Sequence, residues 1–445
     1  MLQTEQKTAY RIQNFTSFII SCVWFKEYGM KRVLAVALLM CIVLSGCGFG
    51  GSTIFDILDF EIDGKVLSLT VEDSVSRLDI YPEESKVIGK FDRMQFKNLS
   101  PLQQSIYIQL DNAIYNMEPG FIDAGVCSYR DLELVYYALR QDRPEYFWLP
   151  SQYVLRVVGE RRMIQFAETD ADWSCTKQER AEIESDIKKQ LGSFFETVKD
   201  EPDQFQLELE AHDWVIDKAS YNYAAVEDKE KYPEAWTIEG VFSKSTAVCE
   251  GYARSMQILL YMLGIECSNV VGVTEEAHMW NIVKINDEWY HQDATADDGG
   301  ESGIYYTYFN VTDEFILNGR TIYSDFESVS DEDVEKWSYN YKLPSCDSRQ
   351  DNYFIKTGAF VSDKSQFSSA LISLVCAAAR EGKNEVQIAF SKETGFDYET
   401  MDDPNEFFCI AEILGEANEE LESDQQISTY SWSYQEYGYN VKISW

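Results

Sequence analysis

Three stretches decide the fold: Ala247-Val248-Cys249-Glu250-Gly251-Tyr252-Ala253, then Ala277-His278-Met279-Trp280-Asn281-Ile282-Val283-Lys284-Ile285, then Asn286-Asp287-Glu288-Trp289-Tyr290-His291-Gln292-Asp293-Ala294-Thr295. The first leads into an apolar-periodic run, Ala253, Met256, Leu259, Leu260 and Leu263, closed by Gly264, which predicts a helix beginning at Cys249. A thiol at a helix N-terminus feels the positive end of the macrodipole, which favours the nucleophilic thiolate. The free N–H groups of that first turn are also where an oxyanion could be held. Asn269–Val273 reads as a strand, and Asn286-Asp287 as a two-residue hairpin turn. Ile285 then pairs with Glu288, Trp280 faces Asp293 and His278 faces Thr295. Period-2 alternation puts His278, Trp280 and Asp293 on one side of the hairpin. His278 and Asp293 become diagonal neighbours, ~7–8 Å apart at the backbone, close enough for a carboxylate to reach an imidazole. In a Cys–His–Asp relay the acid orients the imidazole, which takes the thiol proton and returns it to the leaving group.

These blocks together resemble the transglutaminase-like superfamily core. Its pattern has a cysteine in a Cys-Glu-Gly-Tyr-Ala context, a His followed by x-Trp-Asn, and an Asp closing a Trp-Tyr-x-x-Asp-x-Thr strand. The resemblance implies a papain-like α+β core with Cys249 as nucleophile, His278 as base and Asp293 as orienting acid. Tyr306-Thr307-Tyr308-Phe309-Asn310-Val311 also resembles the segment just past the core in exported bacterial members. The motifs cover a short part of the chain, and a fainter likeness spans most of residues 100–445. The implied activity is acyl transfer on amide bonds of proteins or cell-wall peptides, without a cofactor. A non-catalytic surface binding or scaffold protein that kept the fold is the alternative. Simple hydrolysis of peptide or isopeptide bonds is preferred over amine transfer.

Other side chains read more plainly. His291 and His212 are expected as packed or surface residues, although His291 shares the hairpin face of Asp293. Trp280 reads as core or groove wall. Asp297-Asp298-Gly299-Gly300-Glu301 reads as a solvated acidic turn rather than a calcium loop. Tyr221, Tyr223 and Trp236 are candidate oxyanion partners.

Outward from the core, residues 48–200 read as a mixed α/β helper domain, 201–345 as the catalytic core and 346–445 as a small C-terminal α/β domain. In the helper region, strand-like runs at Ile54–Ile62 and Val66–Val71 precede a helix opened by Ser100-Pro101-Leu102-Gln103, with Pro119-Gly120 as its stop. Further helices are expected at Arg130–Leu139 and from the capping box Thr176-Lys177-Gln178-Glu179. The C-terminal region predicts a helix at Phe367–Arg380, a strand at Glu385–Phe390 and a helix start at Asp403-Pro404-Asn405-Glu406. Closing strands come at Ser428–Gln435 and Tyr439–Trp445, around Gly438.

The N-terminal residues 1–47 read as an export and anchor segment. Met30-Lys31-Arg32 precedes the apolar run Val33–Leu44 and then Ser45-Gly46-Cys47, a basic, apolar and small-residue succession. That run is too short for a stable helix across a hydrocarbon layer of ~30 Å. It resembles the lipobox of bacterial lipoproteins, which implies diacylation of Cys47, a Gly48–Ser52 tether and a place on the outer face of the cell membrane. The alternative is an uncleaved hairpin anchor using Phe15–Phe25. Met30 looks like the natural start, which would make residues 1–29 an upstream extension.

The chain has 445 residues, 45% of them hydrophobic, with 28 Tyr, 25 Phe and 10 Trp, so a packed globular protein of two or three domains is expected. Its formal net charge of −38 repels phosphate backbones and argues against nucleic acid as a partner. None of the 10 cysteines forms a CxxC, and the chain has 3 histidines, so no metal site is expected.

Overall fold

The computed structural model describes residues 59–62, 65–68, 93–150, 152–198, 203–322, 343–395, 398, 401, 403, 409–435 and 440–445. The export segment with Cys47 lies outside them, as do most of the helix start expected at Asp403–Glu406 and the Gly438 turn. The chain divides into two compact units, Met1–Val71 and Glu72–Trp445. In the first, β1 (Asp59–Ile62) pairs antiparallel with β2 (Lys65–Ser68).

Among the described residues, the second unit begins with α1 (Met94–Asn98) and α2 (Pro101–Tyr115). Ser100 accepts from the Gln103 amide while the Gln103 side chain accepts from the Ser100 N–H, a reciprocal cap that closes two of the helix's orphan donors. The helix stops at Tyr115, earlier than Pro119-Gly120, because Met117 turns left-handed at φ 51°. Then come β3 (Ile122–Val126), α3 (Tyr129–Asp142), β4 (Val154–Val158) and β5 (Arg161–Gln165), the strands forming a sheet in the order β3-β5-β4. The Thr176–Glu179 box opens α4 (Lys177–Val198), which buries Ile187, Leu191, Phe194 and Val198 on one face.

Next along the chain are α5 (Gln204–Lys218), β6 (Ser220–Tyr221), β7 (Thr246–Ala247) and α6 (Cys249–Met262). Every residue of α6 except Glu250 is buried, so this helix is the centre around which the hydrophobic cluster from Leu99 to Phe309 is packed. Beside it run β8 (Cys267–Val273), β9 (Ala277–Ile285) and β10 (Glu288–Gln292). After them come the short helices α7 (Ala294–Asp297) and α8 (Asp313–Ile316), and β11 (Thr321–Ile322) completes a sheet in the order β10-β9-β8-β11. Ile285 pairs with Glu288 and Asn281 with Gln292, as the turn chemistry predicts. Asn286 and Asp287 both have positive φ, 51° and 69°, the requirement of a type I′ turn.

A line of buried amides ties α6 to this sheet. Asn281 donates to Ala253 O at 2.9 Å and to Asn269 Oδ1 at 3.0 Å. Asn269 donates to Gln257 Oε1 at 2.8 Å, and Gln257 donates to Gln141 O at 2.9 Å. The opposite face of the sheet carries Val270, Trp280 and Ile282, packed with Met94, Val311, Ile316 and Cys346.

The C-terminal part holds β12 (Phe360–Val361), α9 (Phe367–Arg380), β13 (Glu385–Phe390), α10 (Ile410–Glu420), β14 (Ser431–Gln435) and β15 (Asn440–Ser444). The strands form a sheet in the order β12-β13-β15-β14, and α9 and α10 pack on it around Val361, Leu371, Val375, Ile388, Ile413 and Val441. Among the described residues no helix is long and apolar enough to cross a membrane.

Gly272 sits where β8 meets β11 and leaves no room for a side chain. A Cβ there would collide with Thr321 O and lie 2.6 Å from Trp280 Cη2. Gly272→Ala should therefore destabilise the fold by about 1–3 kcal/mol, measured as a lowered urea midpoint at unchanged slope.

Candidate active site

Cys249 is delivered to its place by a short parallel pairing and a tight turn. Thr246 and Ala247 pair with Ser220 and Tyr221, and Val248 N donates to Ala235 O at 3.0 Å. Val248 is the N-cap of α6 and contributes no side-chain cap, so the first-turn N–H groups beside Cys249 stay uncapped by it. Gly251 allows this approach, since a Cβ there would lie 2.5 Å from Ala235 O. Cys249 is buried, 7% exposed.

Asp293 comes just after β10 and caps α7, its Oδ1 accepting from Thr295 N at 3.1 Å and Ala296 N at 3.2 Å. Its Oδ2 lies 2.8 Å from His278 Nε2. The diagonal relation across the hairpin thus brings imidazole and carboxylate into contact. Nε2 is engaged by Asp293, and Cys249 is close enough to His278 to add to the upward push on its imidazole. Asp293 and His278 are hydrogen-bonded, and Cys249 is a neighbour of the imidazole.

Arg320, just before β11, makes a second ion pair to Asp293 Oδ2 at 2.5 Å, with both side chains buried. Its guanidinium lies over the rings of Tyr308 and Trp280, at 4.3 and 5.1 Å from their centroids. Burial works against the charge on Asp293, but His278 and Arg320 outweigh it and hold the carboxyl far below the usual range. Burial likewise opposes charge on His278. The Asp293 carboxylate, and after it Cys249, outweigh it and push the imidazole up to about 10.

Trp280 lies under this set, 1% exposed, with the His278 ring stacked against it at 5.9 Å and an interplanar angle of 25°. Its indole N–H donates to His291 Nδ1 at 3.0 Å, and His291 Nε2 lies 2.8 Å from Asp313 Oδ1. His291, Asp313 and Cys346 place ligand-type atoms within 4.8 Å of one another, among the described residues the group closest to a metal-binding arrangement. The hydrogen bonds do not suit that role. An indole only donates, so His291 Nδ1 must accept and its ring proton sits on Nε2, where a metal would need a lone pair. Burial, followed by Asp313, pushes the Cys346 thiol far up, which makes it an inert neighbour rather than a second nucleophile.

The remaining sequence candidates fall in different places. Tyr221 is partly buried and its phenol is pushed up to about 12, by burial first and then by Cys249 and Tyr223. Tyr223 is 77% exposed. The indole N–H of Trp236 is buried with no partner among the described residues. Trp236, Lys229 and Glu250 line a cavity of about 590 Å³, so the residue after Cys249 forms part of its wall. The run at 297–301 is solvated at Gly300 and Glu301 but not at its start. Asp297 is fully buried, accepts from Tyr308 N at 3.0 Å and lies 3.3 Å from His212 Nε2, while Asp298 accepts from Tyr252 Oη at 2.6 Å. His212 is buried between Asp213 and Asp297; burial opposes its charge, but the two carboxylates push it up to about 9. The seven described cysteines are all free thiols.

Residues 194–294 match the family model of the transglutaminase-like superfamily. No curated protein matches. Among solved structures, the chain is similar to one described as a TGase, at 16% identity and a TM-score of 0.25, covering 43% of this chain and 53% of that one. It is also similar to one described as a candidate cysteine protease from Cytophaga hutchinsonii, at 13% identity and a TM-score of 0.23, covering 39% of this chain and 65% of that one.

The ion pair gives a signed pH dependence. The folded value of His278, about 10, exceeds its ordinary 6.5, so the stability it contributes is whole below pH 6.5 and is lost as the pH rises through about 10. Asp293→Asn removes the main cause of that rise and leaves the burial. An NMR titration of His278 should then show its midpoint fall below 6.5, and any thiol-dependent turnover should drop by about 10⁴. A midpoint still near 10 would break the link between the two residues.

Proposed function

We propose that the protein is a thiol-dependent acyl-transfer enzyme acting on amide bonds of proteins or cell-wall peptides. The reading is supported above all by the His278–Asp293 hydrogen bond beside Cys249 at the start of α6. The Cys249 thiolate attacks the amide carbonyl, with the uncapped N–H groups of α6 placed to receive the oxyanion. As the tetrahedral adduct collapses, the C–N bond breaks, protonated His278 gives its proton to the departing amine or ammonia, and a thioester remains. Water then gives a proton to His278 and attacks the thioester, releasing the carboxylic acid and regenerating the Cys249 thiolate beside protonated His278.

Hydrolysis is the preferred outcome, of peptide or isopeptide bonds. Water stands at ~55 M against dilute amines, so transfer would require a pocket that admits the amine and shuts water out. In this reading Cys47 carries diacylglycerol and the enzyme works at the outer face of the cell membrane. Two acyl chains give firm membrane attachment where one gives only a marginal hold.

A glutamine-bearing acceptor protein supplied with a fluorescent primary amine should release ammonia without taking up dye. Cys249→Ala should lower that release by about 10³ or more. Dye incorporation that vanishes in Cys249→Ala would instead establish a transferase. Neither signal, together with iodoacetamide labelling of Cys249 no faster than that of the other thiols, would make the protein a binding or scaffold module.

A further inference from the structure

Trp280 touches both side chains that hold Asp293. His278 stacks on its ring at 5.9 Å, and the Arg320 guanidinium lies 5.1 Å from its centroid. The orientation of this indole therefore bears on both partners of the carboxylate. Packing holds the benzo edge of the ring against Gly272, where a Cβ would lie 2.6 Å from Cη2. The buried N–H of the five-membered ring needs an acceptor. In this fold it points at His291 Nδ1, 3.0 Å away.

His291 is equipped to receive it. The residue is 1% exposed, and its own N–H and C=O pair with Val311 O and N, both at 2.9 Å. Its Nε2 lies 2.8 Å from Asp313 Oδ1, which selects the tautomer that leaves Nδ1 free to accept. Asp313 is fixed in turn by Cys346, whose N–H donates to Oδ2 at 3.1 Å and whose carbonyl accepts from Asp313 N at 2.8 Å. A continuous series of directed bonds runs from the segment around Cys346 through Asp313 and His291 to the indole beneath the reacting histidine.

We propose that His291 and Asp313 are positioning residues for the reaction: they lock the indole of Trp280 in the one orientation that aligns His278 with Cys249 and keeps Arg320 on Asp293. The proposal rests on the reading of Cys249, His278 and Asp293 as the reacting set. It assigns to the Asp313–His291 pair a role that neither a metal nor a second nucleophile would give it.

The experiment compares His291→Asn with His291→Leu in the full chain. Asn presents its amide oxygen near the place of Nδ1 and can still accept the indole N–H, whereas Leu fills space and accepts nothing. Iodoacetamide alkylation of Cys249 near pH 6 should slow by about 10–10² in His291→Leu, in line with the cost of a small misplacement, and stay within about threefold of wild type in His291→Asn. With a turned-over substrate, kcat should fall in the Leu variant while KM holds. The Trp280 indole resonance in a ¹H–¹⁵N spectrum, assigned with Trp280→Phe, should move in His291→Leu and remain in His291→Asn. Equal rates and an unmoved resonance in both variants would overturn the proposal, as would equal losses in both. If His291→Leu does not fold, Asp313→Ala, which frees the His291 ring while leaving it in place, should move the same resonance and slow the same alkylation. If wild-type Cys249 proves no more reactive than the other thiols, the proposed function fails, and the resonance then decides the indole lock by itself.

Discussion

A carboxylate that is 1% exposed is costly to bury, and the core around Asp293 is arranged to offset that cost. Four donors meet it: two backbone N–H groups at the start of α7, the His278 imidazole and the Arg320 guanidinium. They come from three different local structures, so satisfying one charge fixes the end of β10, the start of β9, the first turn of α7 and the approach of β11. Satisfied in this way, the charge organises the site. Remove any one donor and the remaining ones must carry a partly unpaired anion in a setting of low dielectric.

The same logic recurs away from the site. Arg143 is 1% exposed on its side chain and is held by Asp111 and Glu145, while Arg93 joins Glu145 and caps the carbonyl of Asp142. Glu250, next to Cys249, is ringed by Arg254 and Arg140. Burial would raise its carboxyl, but Arg254, Arg140 and Lys229 bring it down to about 2. A chain of net charge −38 thus keeps several of its cations inside, where they neutralise carboxylates that packing has buried.

How much could be read in advance depends on how far each signal reaches along the chain. The hairpin register needs only a turn dipeptide and a period of two, so the meeting of His278 and Asp293 was legible from residues 15 apart. The caps at Ser100 and Thr176 are equally local, and so is the helix start at Cys249. Arg320 was not legible: it lies 27 residues beyond Asp293, belongs to no motif, and reaches the carboxylate only because β11 pairs with β8. The acidic run at Asp297 misled for a related reason. Composition suggests solvation, and the burial depends on His212, far earlier in the chain, which no local pattern connects to it. Trp280 was readable as core, yet the bond from its indole to His291 comes from a diagonal contact that alternation permits without dictating.

The line of amides from Asn281 through Asn269 and Gln257 to Gln141 O works as a register key. Apolar packing between a helix and a sheet tolerates small slips, since one methyl group can replace another against the same surface. An amide oxygen and an amide nitrogen are not interchangeable, and a helix advances about 1.5 Å for each residue. A slip of one residue along α6 would break both links made by Gln257, and the bond from Asn281 to Ala253 O, at once. Sliding of α6 is therefore an all-or-none event, and the thiol at its tip keeps its distance from the imidazole or loses it altogether.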